Sequence, residues 1–195
     1  MLFLILIVAV VAVALVAFAL IRNRQTGDAA LTSQVTHFAA HDVNALTEQI
    51  RRVGDRPEAA DDVAYAKQCE ARANEALDGA RKPADVQAVS AAVSEGFYAV
   101  QCAQAHIDGQ DPPARRQPCY FDPSHGLSTT DVHWAPKGED PATVPACARC
   151  AAAVAHNADP TPRMVTIAGM SMPHWRAPEY YDPWAAGFFG EARAA

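Results

Sequence analysis

Residues 1–21 read MLFLILIVAVVAVALVAFALI, an apolar run without a charge, a glycine or a proline. About 20 apolar residues make about 30 Å of helix, which matches the hydrocarbon thickness of a bilayer. The run predicts a transmembrane helix and sets the class of the chain: a membrane-attached protein with a soluble part behind its anchor. A secretory signal peptide is the competing reading. It requires a basic n-region and a shorter apolar core ending at a small-residue cleavage site. Here no Lys or Arg precedes the core, and although Ala17-Phe18-Ala19 has the cleavage form, Leu20 and Ile21 continue the run. An uncleaved anchor fits the length better. Arg22 and Arg24 follow it directly, and flanking cations tend to stay cytoplasmic. The expectation is a single-pass plasma-membrane protein with the lipid bilayer as partner, residues 22–30 as a juxtamembrane linker and the C-terminal domain in the cytoplasm.

The part beyond the linker is about one domain long. The chain's formal net charge of −6 and pI of 5.6 leave no basic footprint for nucleic acid. Between Leu31 and Ile107 the only prolines are Pro57 and Pro83, and both stand at expected helix starts. Three helices are predicted. The first runs from about Leu31 to Val53, with Val35, Phe38, Ala45, Leu46, Ile50 and Val53 on one face and Gly54 at its end. The second runs from about Pro57 to Asp78 with a thin stripe of Ala59, Val63, Ala66, Ala73 and Leu77. The third runs from about Pro83 to Ile107, with Val86, Val89, Val93, Phe97, Val100 and Ile107 in a near-heptad period. Short connections make consecutive helices antiparallel neighbours. The expected fold is mostly α: the transmembrane helix, an antiparallel three-helix bundle over 31–110, then a small α+β module over 111–195 with an aromatic tail.

The five cysteines divide into two kinds. With a turn centred near Arg81, Cys69 faces a residue near Val93. Cys102 then lies about 13 Å further along the axis, beyond the reach of a disulfide. Both are read as small core residues. The other three sit in a different pattern. Pro118-Cys119-Tyr120-Phe121-Asp122-Pro123-Ser124-His125-Gly126 precedes a predicted hairpin, Asp131 to Trp134 with Ala142 to Val144. Cys147-Ala148-Arg149-Cys150 follows it and opens a helix-forming stretch. The order of ligand pair, hairpin, C-x-x-C and helix resembles a treble-clef zinc module. Cys119, His125, Cys147 and Cys150 form a Cys₃His set that suits tetrahedral zinc. Four protein ligands make such a site structural, because no position is left for water. Their side chains should cluster within about 4 Å of one another. The x₅ spacing from Cys119 to His125 is wider than the usual knuckle, and His133 is the substitute ligand. A thiol-redox pair, a disulfide in an oxidising compartment and inert thiols are the other readings.

Weaker signals have plainer explanations. His37 and His41 share a helix face, but the pair lacks the Glu of H-E-x-x-H and is read as chance. Met170, Met172 and His174 hint at Cu(I). A β-hairpin of Met164 to Ile167 with Met170 to Met172, its methionines in the core, is preferred. The aromatic tail, Pro178 to Gly190, is expected to pack on its own module. No nucleophile elbow, Walker loop, dinucleotide-binding glycine pattern or triad is present, so no catalytic residue and no small-molecule substrate are inferred.

The Pro-Cys-Tyr-Phe-Asp-Pro-x-His-Gly segment, the Cys147/Cys150 pair and the ending from Pro173-His174-Trp175 to Pro183-Trp184-Ala185-Ala186-Gly187-Phe188-Phe189-Gly190 together resemble uncharacterised single-pass membrane-anchored proteins of high-GC Gram-positive (actinobacterial-type) bacteria. The resemblance covers residues 118–190 and implies a bacterial plasma membrane without implying an activity. The expected function is interaction or scaffolding at the membrane with a protein partner. The alternative is an extracytoplasmic anchored protein with a redox-active or disulfide-bonded C-x-x-C module.

Overall fold

The computed structural model describes residues 29, 31–167 and 169–190; the apolar run 1–21 and the arginines behind it lie outside them. Among the described residues no helix is long and apolar enough to cross a membrane. The described chain is mostly helical, with two small antiparallel hairpins.

The helix over 31–53 (α1) buries Val35, Ala39, Val43, Leu46 and Ile50, spaced so that one stripe faces inward. It ends where Gly54 adopts φ 69° and donates its N–H to Ile50 O at 3.2 Å, the left-handed cap that glycine adopts without strain. Pro57–Ala59 forms a 3₁₀ turn that leads into α2 (Ala60–Gly79). A second 3₁₀ turn, Pro83–Asp85, leads into α3 (Val86–Ile107). The Asp85 carboxylate accepts from the N–H groups of Arg81 and Lys82 at 2.9 and 3.1 Å, which satisfies donors at this entry.

α2 and α3 run antiparallel. Asp62 meets His106 at 2.6 Å near one end, and Arg72 meets Glu95 at 2.6 Å further along. The α2 stripe is thin, with Val63, Ala66, Cys69 and Ala73 buried, whereas α3 buries Val86, Val89, Val93, Phe97 and Val100. Gly96 lets the helices close up: a Cβ there would stand 3.2 Å from Cys69 Cβ and 2.9 Å from Leu46 Cδ1. Cys69 therefore faces the middle of α3, near the expected register. Cys69 and Cys102 are buried and form no disulfide.

In the C-terminal half, β1 (Thr130–Trp134) and β2 (Ala142–Ala146) form a hairpin in the register Thr130↔Ala146 to Trp134↔Ala142. α4 (Ala148–Ala155) follows at once. β3 (Met164–Ile167) and β4 (Met170–Pro173) form the second hairpin. A 3₁₀ turn, His174–Arg176, connects it to α5 (Pro178–Phe189).

Two expectations change here. The aromatic tail does not pack mainly on its own module. It forms α5, and Tyr181, Trp184, Phe188 and Phe189 enter the same core as α1 and α3. Phe38 of α1 receives Tyr181 and Trp184 edge-on at centroid distances of 4.9 and 4.8 Å. The reason is volume: alanine stripes leave space between helices that large rings fill. Gly187 allows the approach, since a Cβ there would lie 2.5 Å from Ser90 Cβ and 2.9 Å from Ala91 N of α3. Of the hairpin methionines, Met172 packs against the core opposite Val165, but the other two do not. Met164 is exposed because Val165 takes the inward face and alternation turns its neighbour outward; Met170, opposite Ile167 at the turn end of the hairpin, is exposed as well.

Candidate metal centre

The site begins with a tight loop after residue 117. Pro118 bridges Leu127, and Cys119 N–H donates to Gly126 O at 3.0 Å, closing residues 119–126 into a knuckle. Gly126 has φ 87°, a conformation that L side chains rarely adopt. Inside the knuckle, Asp122 accepts from Ser124 N–H at 2.9 Å and Ser124 Oγ at 2.8 Å. This caps the 3₁₀ turn Pro123–His125 and turns His125 back toward Cys119. The knuckle is pinned to β2 through Tyr120 N–H donating to Pro145 O at 2.8 Å.

The second ligand pair lies where β2 runs into α4. Cys147 occupies the N-cap position with extended backbone, and its carbonyl accepts from Ala151 N–H at 2.9 Å. One turn of helix brings Cys150 beside it. The result is convergence. One ligand atom from each of Cys119, His125, Cys147 and Cys150 lies within 4.8 Å of the others. His125 Nδ1 is 3.5 Å from Cys150 Sγ and 3.9 Å from Cys147 Sγ. Ligands at 2.0–2.3 Å from a tetrahedral centre sit about 3.3–3.8 Å apart. The set is therefore slightly wider than the expected 4 Å and closes by about 1 Å around an ion. Among the described residues this is the one His/Cys/acid group with metal-binding geometry.

Burial sets the electrostatics of the site. The three thiols are buried and free. Desolvation raises Cys119 and Cys150 above the ordinary thiol range and lowers His125, so it disfavours thiolate and imidazolium alike. A bound divalent cation supplies the positive charge that buried thiolates lack, and neutral imidazole is the ligand form of histidine. His125 is the histidine that converges; His133 is exposed on β1 opposite Thr143. His37 is exposed, and His41 Nδ1 instead accepts from Arg163 at 3.1 Å.

Aromatic rings close the module. Phe121 packs edge-on against Trp134 at 4.9 Å, Trp134 against Trp175 at 5.0 Å, and Tyr120 stacks on Trp175 at 5.8 Å. His174 lies beneath them, 5% exposed, with Nε2 2.8 Å from Tyr120 O. Burial pushes its pKa down to about 4, so it is the neutral ring whose Nε2–H donates.

A polar group absent from the sequence reading lies beside the site. Arg163, Asp42 and Asp122 form a buried ion cluster, and Trp184 Nε1 donates to Asp42 Oδ2 at 2.7 Å. Burial pushes the Asp42 carboxyl up to about 6 against the opposing pull of Arg163 and the indole N–H. The available signal was Asp42 itself, an acid in the apolar stripe of α1. Its partners are too distant in sequence for periodicity to reveal.

Comparison with protein-family models, curated proteins and solved structures found no match to this chain. The class that fold and site define is thus a mostly helical protein carrying a Cys₃His cluster able to hold a metal ion such as zinc.

Proposed function

We propose that this is a membrane-attached interaction or scaffold protein whose 118–155 segment is a treble-clef-like module stabilised by one structural zinc. The observation that carries the metal reading is the convergence of three buried thiols and one imidazole, from two segments separated by a hairpin, on a single point. Zinc suits this donor set, and four protein ligands make its role structural. With four protein ligands the proposed ion has no position for water, which supports a structural rather than a catalytic metal. The apolar run 1–21 supports a bilayer anchor. Arg22 and Arg24 support a cytoplasmic C-terminal domain, a reducing compartment that keeps thiols available.

The test is metal analysis of the full chain purified in detergent. The expected result is one zinc per chain, lost in Cys147→Ser and Cys150→Ser. A chain without zinc that keeps its stability in chelator overturns the metal reading. The proximity of the thiols equally favours a disulfide if the domain faces an oxidising compartment. A C-terminal alkaline phosphatase fusion should be silent under the cytoplasmic reading; strong activity transfers support to the disulfide-bearing alternative.

A further inference from the structure

Between the two knuckle ligands stands a carboxylate that serves two parts of the molecule. Asp122 Oδ1 accepts from the N–H and hydroxyl of Ser124 at 2.9 and 2.8 Å, on the turn that carries His125. The same oxygen accepts from Arg163 Nε at 3.0 Å and Nη2 at 2.9 Å. The Arg163 guanidinium then reaches Asp42 of α1, and the other oxygen of Asp42 holds the Trp184 indole of α5 at 2.7 Å. Arg163 and Asp42 side chains are 7% and 1% exposed, and Asp122 is 15% exposed. The Arg163 backbone is fixed as well: its N–H donates to Phe121 O at 2.7 Å and its carbonyl accepts from His174 N–H at 3.0 Å.

We infer that Arg163 is a positioning residue for the metal centre, and that through Asp122–Arg163–Asp42–Trp184 ion binding at the Cys₃His set is coupled to the seating of α5 on the helices. The inference rests on the proposed metal reading. Asp122 holds the turn that aims His125; Arg163 holds Asp122. A planar guanidinium can bridge two carboxylates in fixed geometry, which an ammonium does less well. Arg163, Asp42 and Trp184 are buried and Asp122 is partly buried, so water substitutes poorly for a missing member in the middle of the chain of contacts. Coupling of this kind is reciprocal: if metal binding favours seated α5, seating of α5 favours metal binding by the same factor.

The experiment uses the full chain in detergent and two probes, Zn(II) affinity by chelator competition and the absorption spectrum of the Co(II)-substituted protein. Arg163→Met and Asp122→Asn are expected to lower Zn(II) affinity about 10–100-fold, the usual effect of removing a group that orients a ligand. Because Arg163 acts on the His125 arm, Co(II) in these variants should keep its thiolate charge-transfer intensity while the d–d bands shift. Trp184→Phe, at the far end of this chain of contacts from His125, should lower Zn(II) affinity by about three-fold or more through the coupling. Val93→Ala, a cavity in the α2–α3 core, should leave affinity within about two-fold if the effect is specific. In the unaltered chain Zn(II) should raise amide-exchange protection across Pro178–Phe189. Arg163→Lys covers the case in which Arg163→Met fails to fold, and should lie between the two. Unchanged affinity and Co(II) spectrum in the Arg163 and Asp122 variants of a zinc-binding chain overturn the positioning role alone. An unaltered chain that binds neither ion with a thiolate spectrum overturns this inference together with the metal reading.

Discussion

In α2 and α3 the buried α2 residues are mostly small, Ala66, Cys69 and Ala73, and Gly96 of α3 admits Cys69, while α3 buries Val86, Val89, Val93 and Val100. In residues 118–150 the interior is thiols, rings and a few aliphatic groups held by loops. The helical layer is ordered by apolar burial along regular stripes, at about 1.5–3 kcal/mol for each fully buried valine. The small module has too little of such area to be self-sufficient. It closes instead around a donor cluster and edge-on aromatic rings. On the proposed metal reading the module depends on one centre, whereas the helical layer spreads its stability over many contacts. The two meet at α5 and at the Asp42–Arg163–Asp122 cluster, where a helix-borne carboxylate and a knuckle carboxylate share one cation.

The largest expected effect sharpens this contrast. Removing metal with chelator, or Cys119→Ser, should remove folding energy on the order of 10 kcal/mol from the module. Amide exchange should then rise across β1, β2 and α4 while α2 and α3 stay protected. Simultaneous loss of protection in both regions would show that they do not differ in the way described.

Asp42→Ala should cost about 3–5 kcal/mol, because it strands part of a buried guanidinium and the Trp184 N–H. Chemical denaturation of the full chain measures it. A cost below about 1 kcal/mol would mean that Asp122 alone satisfies Arg163.

His174 makes the junction acid-sensitive. Its pKa falls from 6.5 to about 4 in the folded chain, so the unfolded chain binds more protons between these values. Stability from this group is complete above pH 6.5 and is lost as pH falls toward 4, about 3 kcal/mol in all. Asp42, raised to about 6, works in the opposite direction over part of the range, since its folded form takes up a proton first. The comparison with His174→Gln isolates the histidine: the amide can still donate to Tyr120 O, and the variant should lose less stability on acidification than the unaltered chain. Identical pH profiles would show that His174 is not held neutral by burial.

The smallest effect concerns the helix seam. Gly187→Ala places a methyl against Gln87 O and Ser90 Cβ and should cost about 1–3 kcal/mol through overpacking. Thermal melting checks it, with α5 exchange rising while α2 remains protected. A neutral substitution would mean that α5 shifts along α3 without penalty.

Much of this organisation is legible in the amino-acid sequence. Helix periodicity placed the three helices within a few residues, Gly54 marked an end, and the Cys119–His125–hairpin–Cys147–Cys150 order singled out the residues that converge. The helical nature of the tail was hidden, since Pro183 stands inside α5 and a proline in that position argues against helix. The exposure of Met164 and Met170 was hidden by a short apolar run whose inward face periodicity does not specify.

What the amino-acid order determined by itself is local: apolar stripes at helical spacing, turns at Gly and Pro, and ligand types at knuckle spacing, all set by backbone sterics and side-chain chemistry over a few residues. What only the tertiary structure decided is where separate segments meet. It selected His125 over His133, carried the aromatic tail onto α1 and α3, and joined Arg163 to Asp42 across 121 residues. Such pairings depend on burial that exists only once the chain has folded, where a lone charge is costly and the nearest opposite charge becomes its partner.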